Sequence, residues 1–288
     1  MSAGCRFAYA QARVQAQYAE LPTEADWRRL SAARTLSGWL EEARSGALKR
    51  WVKGFSAHSD SHDLERGVRA QFVETVEQVA SYLPRPWHEA VSWCRWLPLL
   101  GLFDHLHAGG TLPDWVVRDP RLALLLDDDG GLDPSALASQ GIGGLLQGDA
   151  GRAWLAQWRR SWPRCKPAYL EAVDALALRC LTHLRDFREA PPDKAWSLRQ
   201  GLRERLRFEF HLYLLQPASA FIFLAVVALD LERLRRALLD RALFATGLPE
   251  AAADDLEASR GSDWGSDWEN DWTSDRRTDR QPAGREAA

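Results

Sequence analysis

The segment 216–243, QPASAFIFLAVVALDLERLRRALLDRAL, constrains the fold of this chain more than any other. Its first half is almost wholly apolar, and its second half reads as a charged amphipathic helix. Such a segment either enters a membrane or lies at the centre of a helical body. The apolar run from Ala218 to Leu229 is twelve residues long, short of the roughly 18–20 needed to span a bilayer. Extending it back to Leu212 takes in Gln216 and Pro217, and proline suits the first turn of a new helix better than the middle of a span. The pattern predicts one long helix over 219–244, with other helices packed all round its apolar half. Phe221, Leu224, Ala228, Leu231, Leu234, Leu238 and Ala242 line one predicted face.

The remainder of the body reads as helix after helix. Phe7, Val14, Tyr18 and Leu21 recur at helical spacing. Thr23 followed by Asp26 is a capping signal, with Trp27 and Leu30 facing inward behind it. Leu36, Trp39, Leu40 and Ala43 form the next face, and Leu48, Trp51, Val52 and Phe55 another. The clearest stripe is Leu64, Val68, Phe72, Val76, Val79 and Leu83. It starts near Asp60 or Ser61 and is stopped by Pro84 and Pro86. Tyr169, Val173, Leu176, Cys180, Leu184 and Phe187 make a further stripe after Pro167, and Leu198, Leu202, Leu206, Phe210 and Tyr213 make the next. No alternating strand pattern is convincing, so the expected class is all-α.

Residues 109–150 differ. They carry GG, DDDGG and GIGG with Pro113, Pro120 and Pro134, which reads as loops with short helices. This divides the body into an N-terminal helical lobe (1–108), a connecting region (109–150) and a C-terminal helical lobe (151–256). Residues 257–288 form a tail of different composition. It holds eight acidic and five basic residues, so 5 − 8 = −3, which equals the net charge of the whole chain. A segment this polar buries too little apolar surface to offset its ordering entropy, and disorder is expected. Trp264, Trp268 and Trp272 recur there every four residues, each preceded by Asp. On a helix they would form an aromatic face flanked by acid, suited to a basic, grooved partner. The plainer reading is a low-complexity extension without a partner.

Candidate chemistry is sparse. His58 to Asp63, HSDSHD, has two histidines four apart with Asp60 and Asp63 nearby. A metal-dependent hydrolase would need further ligands on other elements. His105 and His107 complete no such pattern, and Ser and Asp in this position suit a helix N-terminus instead. Asp127 to Asp133, DDDGGLD, faintly resembles a calcium loop. Leu132 and Ala138 fall where Gly and Glu are required, so a solvated acidic turn is expected. Gly141 to Gly144 lacks the Lys-Ser or Lys-Thr of a phosphate-binding loop. Cys5, Cys94, Cys165 and Cys180 show no metal spacing, which suggests free thiols in a reducing cytoplasm. The opening MSAGCRFAYAQAR has no signal-peptide core. Arg203, Arg205, Arg207, Arg233, Arg235, Arg236 and Arg241 alternate with Glu204, Glu209, Glu232 and Asp240. With Glu232 and Arg236 four apart, this reads as a solvated helix face rather than a nucleic-acid surface. Arg and Trp are both abundant, with 14 Trp against 5 Tyr. These are favoured anchors of protein contacts, although high genomic GC also enriches Arg.

The stretch FLAVVALDLERLRRALL, Phe223 to Leu239, resembles the closing helix of the central-stalk socket protein of bacterial and archaeal V/A-type rotary ATPases, which has a eukaryotic counterpart. That helix typically reads aromatic-Leu-Leu-Ala-Lys-Glu-x-Glu-hydrophobic-x-Asn-Leu-Arg. Phe223 and Leu224 match its start, Asp230 its second acidic position, and Leu234 and Arg235 its end. FAYAQARVQA, Phe7 to Ala16, is similar to the family's opening Tyr-x-x-Ala-Arg-Val-Arg-Ala helix, with Tyr9, Ala12, Arg13, Val14 and Ala16 in agreement. SHDLERGVR, Ser61 to Arg69, is similar to a His-Asp-hydrophobic-Glu-x-x-Leu-Arg stretch at the corresponding place. Val227 and Ala228 stand where the family has Lys-Glu, Arg233 where it has Asn, and Gln15 where it has Arg. Residues 90 to 200 show no counterpart of its middle repeat.

The resemblance implies an all-helical, funnel-like body of pseudo-threefold repeats. It implies a non-catalytic subunit on the cytoplasmic face of the membrane, linking the rotor ring to the central shaft of a proton- or sodium-translocating ATPase. The expected partners are rotor-ring and shaft subunits, with membrane contact only through the complex and no cofactor. A helical scaffold or adaptor of the same fold without the ATPase role is the alternative, and a metal-dependent hydrolase using His58 and His62 a third.

Overall fold

The computed structural model describes residues 3–244. They form thirteen α-helices linked by short 3₁₀ turns, with no strand among the described residues beyond one isolated bridge between Leu126 and Leu132. The protein is all-α. The tail with Trp264, Trp268 and Trp272 lies outside the described residues.

Helix α1 (Ala3–Ala19) buries Ala10 and Val14. Helix α2 (Glu24–Ser31) opens with the expected capping box: the Thr23 hydroxyl accepts from the Asp26 N–H, and the Asp26 carboxylate accepts from the Thr23 N–H at 2.9 Å. Two otherwise orphaned donors are satisfied reciprocally. Thr23→Ala is expected to lower stability by about 1 kcal/mol, measurable as a shifted urea midpoint. Helices α3 (Leu36–Ser45) and α4 (Lys49–Val52) bury Trp39, Leu40, Trp51 and Val52. Helix α5 (Ser61–Tyr82) buries the full stripe Leu64, Val68, Phe72, Val76 and Val79 before Pro84 ends it.

Short helices follow: α6 (His88–Trp93), α7 (Leu100–His107), α8 (Asp114–Arg118) and α9 (Pro134–Ser139). Then come α10 (Ala150–Arg160), α11 (Pro167–Glu189), α12 (Pro192–Leu212) and α13 (Pro217–Phe244). Proline stands at the first helical turn of α11 and α12, where its missing N–H costs nothing. Leu184, assigned by its spacing to the α11 stripe, is exposed instead, because the far end of α11 packs on fewer neighbours than its middle.

Helix α13 is the axis of the packing. It lies along α5 and α12 and also touches α1, α3 and α11. Its apolar half, from Pro217 through Leu224 with Val226 and Val227, is buried on all sides. That is the burial the periodicity predicts, and the helix starts two residues earlier than expected, at the proline. No helix among the described residues is long and apolar enough to cross a membrane.

Tryptophans knit α6 and α10 to this axis. The Trp93 indole N–H donates to the Trp154 carbonyl at 3.0 Å, and the Trp154 indole returns a bond to the Trp93 carbonyl at 3.2 Å. The Trp158 indole donates to the Ala90 carbonyl at 3.0 Å. Its ring stacks on Trp154 and meets Phe221 of α13 edge-on, with centroids 5.2 Å apart. Each of these three indoles has its polar atom satisfied while contributing a large apolar area.

Candidate functional site

The sequence-predicted chemical motifs fold as local structure. Asp60 is the N-cap of α5, its carboxylate accepting from the Asp63 N–H at 2.7 Å. His58 and His62 are exposed. Asp127 closes its own turn by accepting from the N–H groups of Asp129 and Gly131, with Gly130 at φ +78°. Gly141 takes φ +70° and leads into a 3₁₀ turn over 143–146. His105 and His107 each bond a backbone carbonyl, of Thr111 and Leu146. No three His, Cys, Asp or Glu side chains among the described residues are grouped to hold a metal. Burial raises the thiols of Cys94 and Cys180, the latter to about 11, so neither is an activated nucleophile.

Two features stand out. The first is a buried ion-pair junction. Asp230 sits at the centre of α13 with no exposed surface. The Arg203 guanidinium of α12 bonds both of its oxygens, at 2.6 and 3.2 Å. The same guanidinium reaches the Pro22 carbonyl at 2.7 Å and Glu24 at 3.2 Å. Arg233 bonds Glu24 at 2.8 Å and lies over the rings of Trp27 and Trp196. Nearby, Arg207 donates to the Tyr18 hydroxyl at 3.0 Å. Burial pushes the Asp230 carboxyl up to about 6, and Arg203 pulls against that shift. One guanidinium, that of Arg203 on α12, therefore ties the segment at Pro22 and Glu24 to Asp230 of α13.

This corrects the reading of the arginine run as a wholly solvated face. Arg203 is buried, and Glu232 pairs with Arg199 while Arg236 pairs with Asp240. The sequence does carry a signal for this: a single carboxylate closing a run of apolar residues must find a cation if it is buried. Which arginine it finds is a tertiary matter.

The second feature is the apex where α12 turns into α13. Phe208 is 66% exposed, Leu212 58% and Leu215 51%, and Leu214 is also exposed. Leu215 takes φ +61°, a left-handed conformation unusual for a bulky residue. Gln11 of α1 holds it there, its carbonyl oxygen accepting from the Leu215 N–H at 3.1 Å and the Ser219 hydroxyl at 2.9 Å. The pocket beside Gln11, lined by Phe7, Val14, Leu83 and Ala220 among others, encloses about 10 Å³, room for one water and no larger ligand.

The residues carrying the family resemblance fall into two sets. Leu234 and Asp230 are fully buried. Tyr9 is exposed and meets Tyr82 edge-on, and Arg13 lies over the Tyr82 ring at 5.0 Å. Arg235 pairs with Glu65 of α5. No family model, no curated protein and no solved structure matches this chain.

Proposed function

We propose that this chain is a non-catalytic coupling subunit of a V/A-type proton- or sodium-translocating rotary ATPase, joining the membrane rotor ring to the central shaft at the inner face of the membrane. One observation supports this reading most. The three segments that carry the resemblance, within α1, α5 and α13, pack against one another, and two of them are joined by an ion pair between their own motif residues, Glu65 and Arg235. A part that transmits torque must also resist deformation. The Asp230–Arg203–Pro22 clamp and the reciprocal tryptophan bonds suit that demand.

A specific observation favours a second reading, a helical adaptor without the ATPase role. Val227 stands where the family has Lys and is fully buried, so the packing around α13 excludes the charged residue usual there. A pull-down of the tagged chain from native membranes separates the two. Rotor-ring and shaft subunits are expected to co-purify with it. Their complete absence, with other proteins retained, would reject the coupling role in favour of the adaptor.

A further inference from the structure

Three features of α12 and its end are not accounted for by the packing of a single copy. Gly201 lies in the interior of α12, where glycine is less favourable than alanine. It is exposed, and a side chain added there would meet nothing within 4 Å. Leu215 shows the converse. It stands at φ +61°, a conformation that glycine takes without strain, and Gln11 holds it there with half of its surface exposed. Between the two, Phe208 is 66% exposed, and Leu212 beside it 58%. Large apolar side chains that gather in the open mark interaction surfaces.

The spacing of these residues is symmetric. Gly201 stands seven residues before Phe208 and Leu215 seven after it, about 10 Å along the chain in each direction. Two copies of α12 laid antiparallel about a two-fold axis at Phe208 bring their phenyl rings together. Leu215 of each copy then lies over Gly201 of the other, where the missing side chain leaves room for it. The charges agree with the same register. Glu204 and His211 are seven residues apart, close to two full turns, and so share one flank of α12. Both are exposed, and neither side chain makes an ion pair or hydrogen bond among the described residues. Within one helix they are too far apart to meet, since side chains pair three or four residues apart. A two-fold axis turns each flank onto its own copy, so Glu204 of one chain meets His211 of the other, twice. Arg205, on the opposite flank, is paired with its own Glu209. One helix face per copy buries less than the roughly 1,200 Å² of a standard interface, so the association is weak and reversible.

We infer that α12 is a self-association surface. Two copies of this chain pair antiparallel along the face of Gly201, Phe208, Leu212 and Leu215, with the Glu204 carboxylate of each accepting a hydrogen bond from the His211 ring of the other. The contact is isologous, so it closes at two copies and leaves no open end for further growth. The pairing goes beyond the coupling role and does not rest on it.

Sedimentation of the purified full-length chain at rising micromolar concentration is expected to show monomer passing into dimer. Phe208→Asp and Gly201→Leu should each weaken the dimer by about tenfold or more. Gly201→Leu should leave the thermal midpoint of the monomer unchanged or higher, because leucine is the better helix former and meets no neighbour there. Its loss of dimer is thereby separated from misfolding. Glu204→Lys and His211→Glu should each weaken the dimer as well, and the variant carrying both exchanges should recover most of the affinity. A chain that stays monomeric throughout would overturn the proposal. So would a dimer indifferent to Phe208→Asp and Gly201→Leu, assembly beyond two copies, or a double exchange that recovers nothing.

Discussion

Asp230→Ala is expected to lower the free energy of unfolding by about 3–5 kcal/mol, because it leaves the Arg203 guanidinium buried without its carboxylate. Arg203→Ala should cost a similar amount by stranding Asp230. The pair itself contributes little net stability, since desolvation of two charges offsets most of their attraction. The double variant Arg203→Met with Asp230→Leu should therefore recover most of the loss, leaving a deficit from the Pro22 carbonyl, which loses its donor, while Glu24 keeps Arg233. Urea unfolding of the wild type, Arg203→Met, Asp230→Leu and the double variant closes a cycle that gives the coupling directly. Additive losses in the double variant would show that the two side chains do not act as a unit.

The same junction sets a pH dependence. The folded Asp230 carboxyl lies at about 6, above the ordinary value near 4, so the folded chain holds this proton more tightly than the unfolded chain does. The stability this group contributes is fully present below about pH 4 and is lost as pH rises through about 6. The advantage of the wild type over Asp230→Asn should shrink across that window. A difference that stays flat would contradict the raised carboxyl.

Trp158→Ala is the other large effect expected, also about 3–5 kcal/mol, from the volume removed beside Trp154, Trp162 and Phe221. Trp158→Phe keeps much of the packing but leaves the Ala90 carbonyl only the weak Cys94 thiol donor at 3.7 Å, a penalty of about 1 kcal/mol. The thermal midpoints should fall in the order wild type, Phe variant, Ala variant. A Phe variant as stable as the wild type would mean that the Ala90 carbonyl finds another donor.

Much of the architecture is legible in the sequence because it rests on local rules. The stripe from Leu64 to Val79 folds as one buried helix face, the Thr23–Asp26 pair caps α2, and Asp60 caps α5. Each of these depends on residues three or four apart. Leu184 and Arg203 depart from expectation for one shared reason. Periodicity assigns a residue to a face of its helix, while burial depends on whether another helix covers that face. At Leu184 the cover is missing, and at Arg203 it is supplied by the loop at Pro22 and by α13. The apex is harder still to read. Phe208 and Leu212 have ordinary helical spacing, and only their exposure distinguishes them from core residues.

By itself the sequence determined the helical class, the starts of α2, α5 and α11, the end of α5 and the burial of the long helix that begins at Pro217, because the spacing of apolar residues, proline positions and caps act within a turn or two of the chain. The tertiary structure alone decided that Asp230 takes Arg203 as its partner, that Glu65 meets Arg235, that the indoles of Trp93 and Trp154 exchange bonds, and that the end of α12 has large apolar side chains exposed among the described residues. Those pairings join residues separated by 27 to 170 positions. At that range the chain carries no local signal of which groups will meet, and the packing of whole helices chooses among many chemically equivalent arginines, carboxylates and carbonyls.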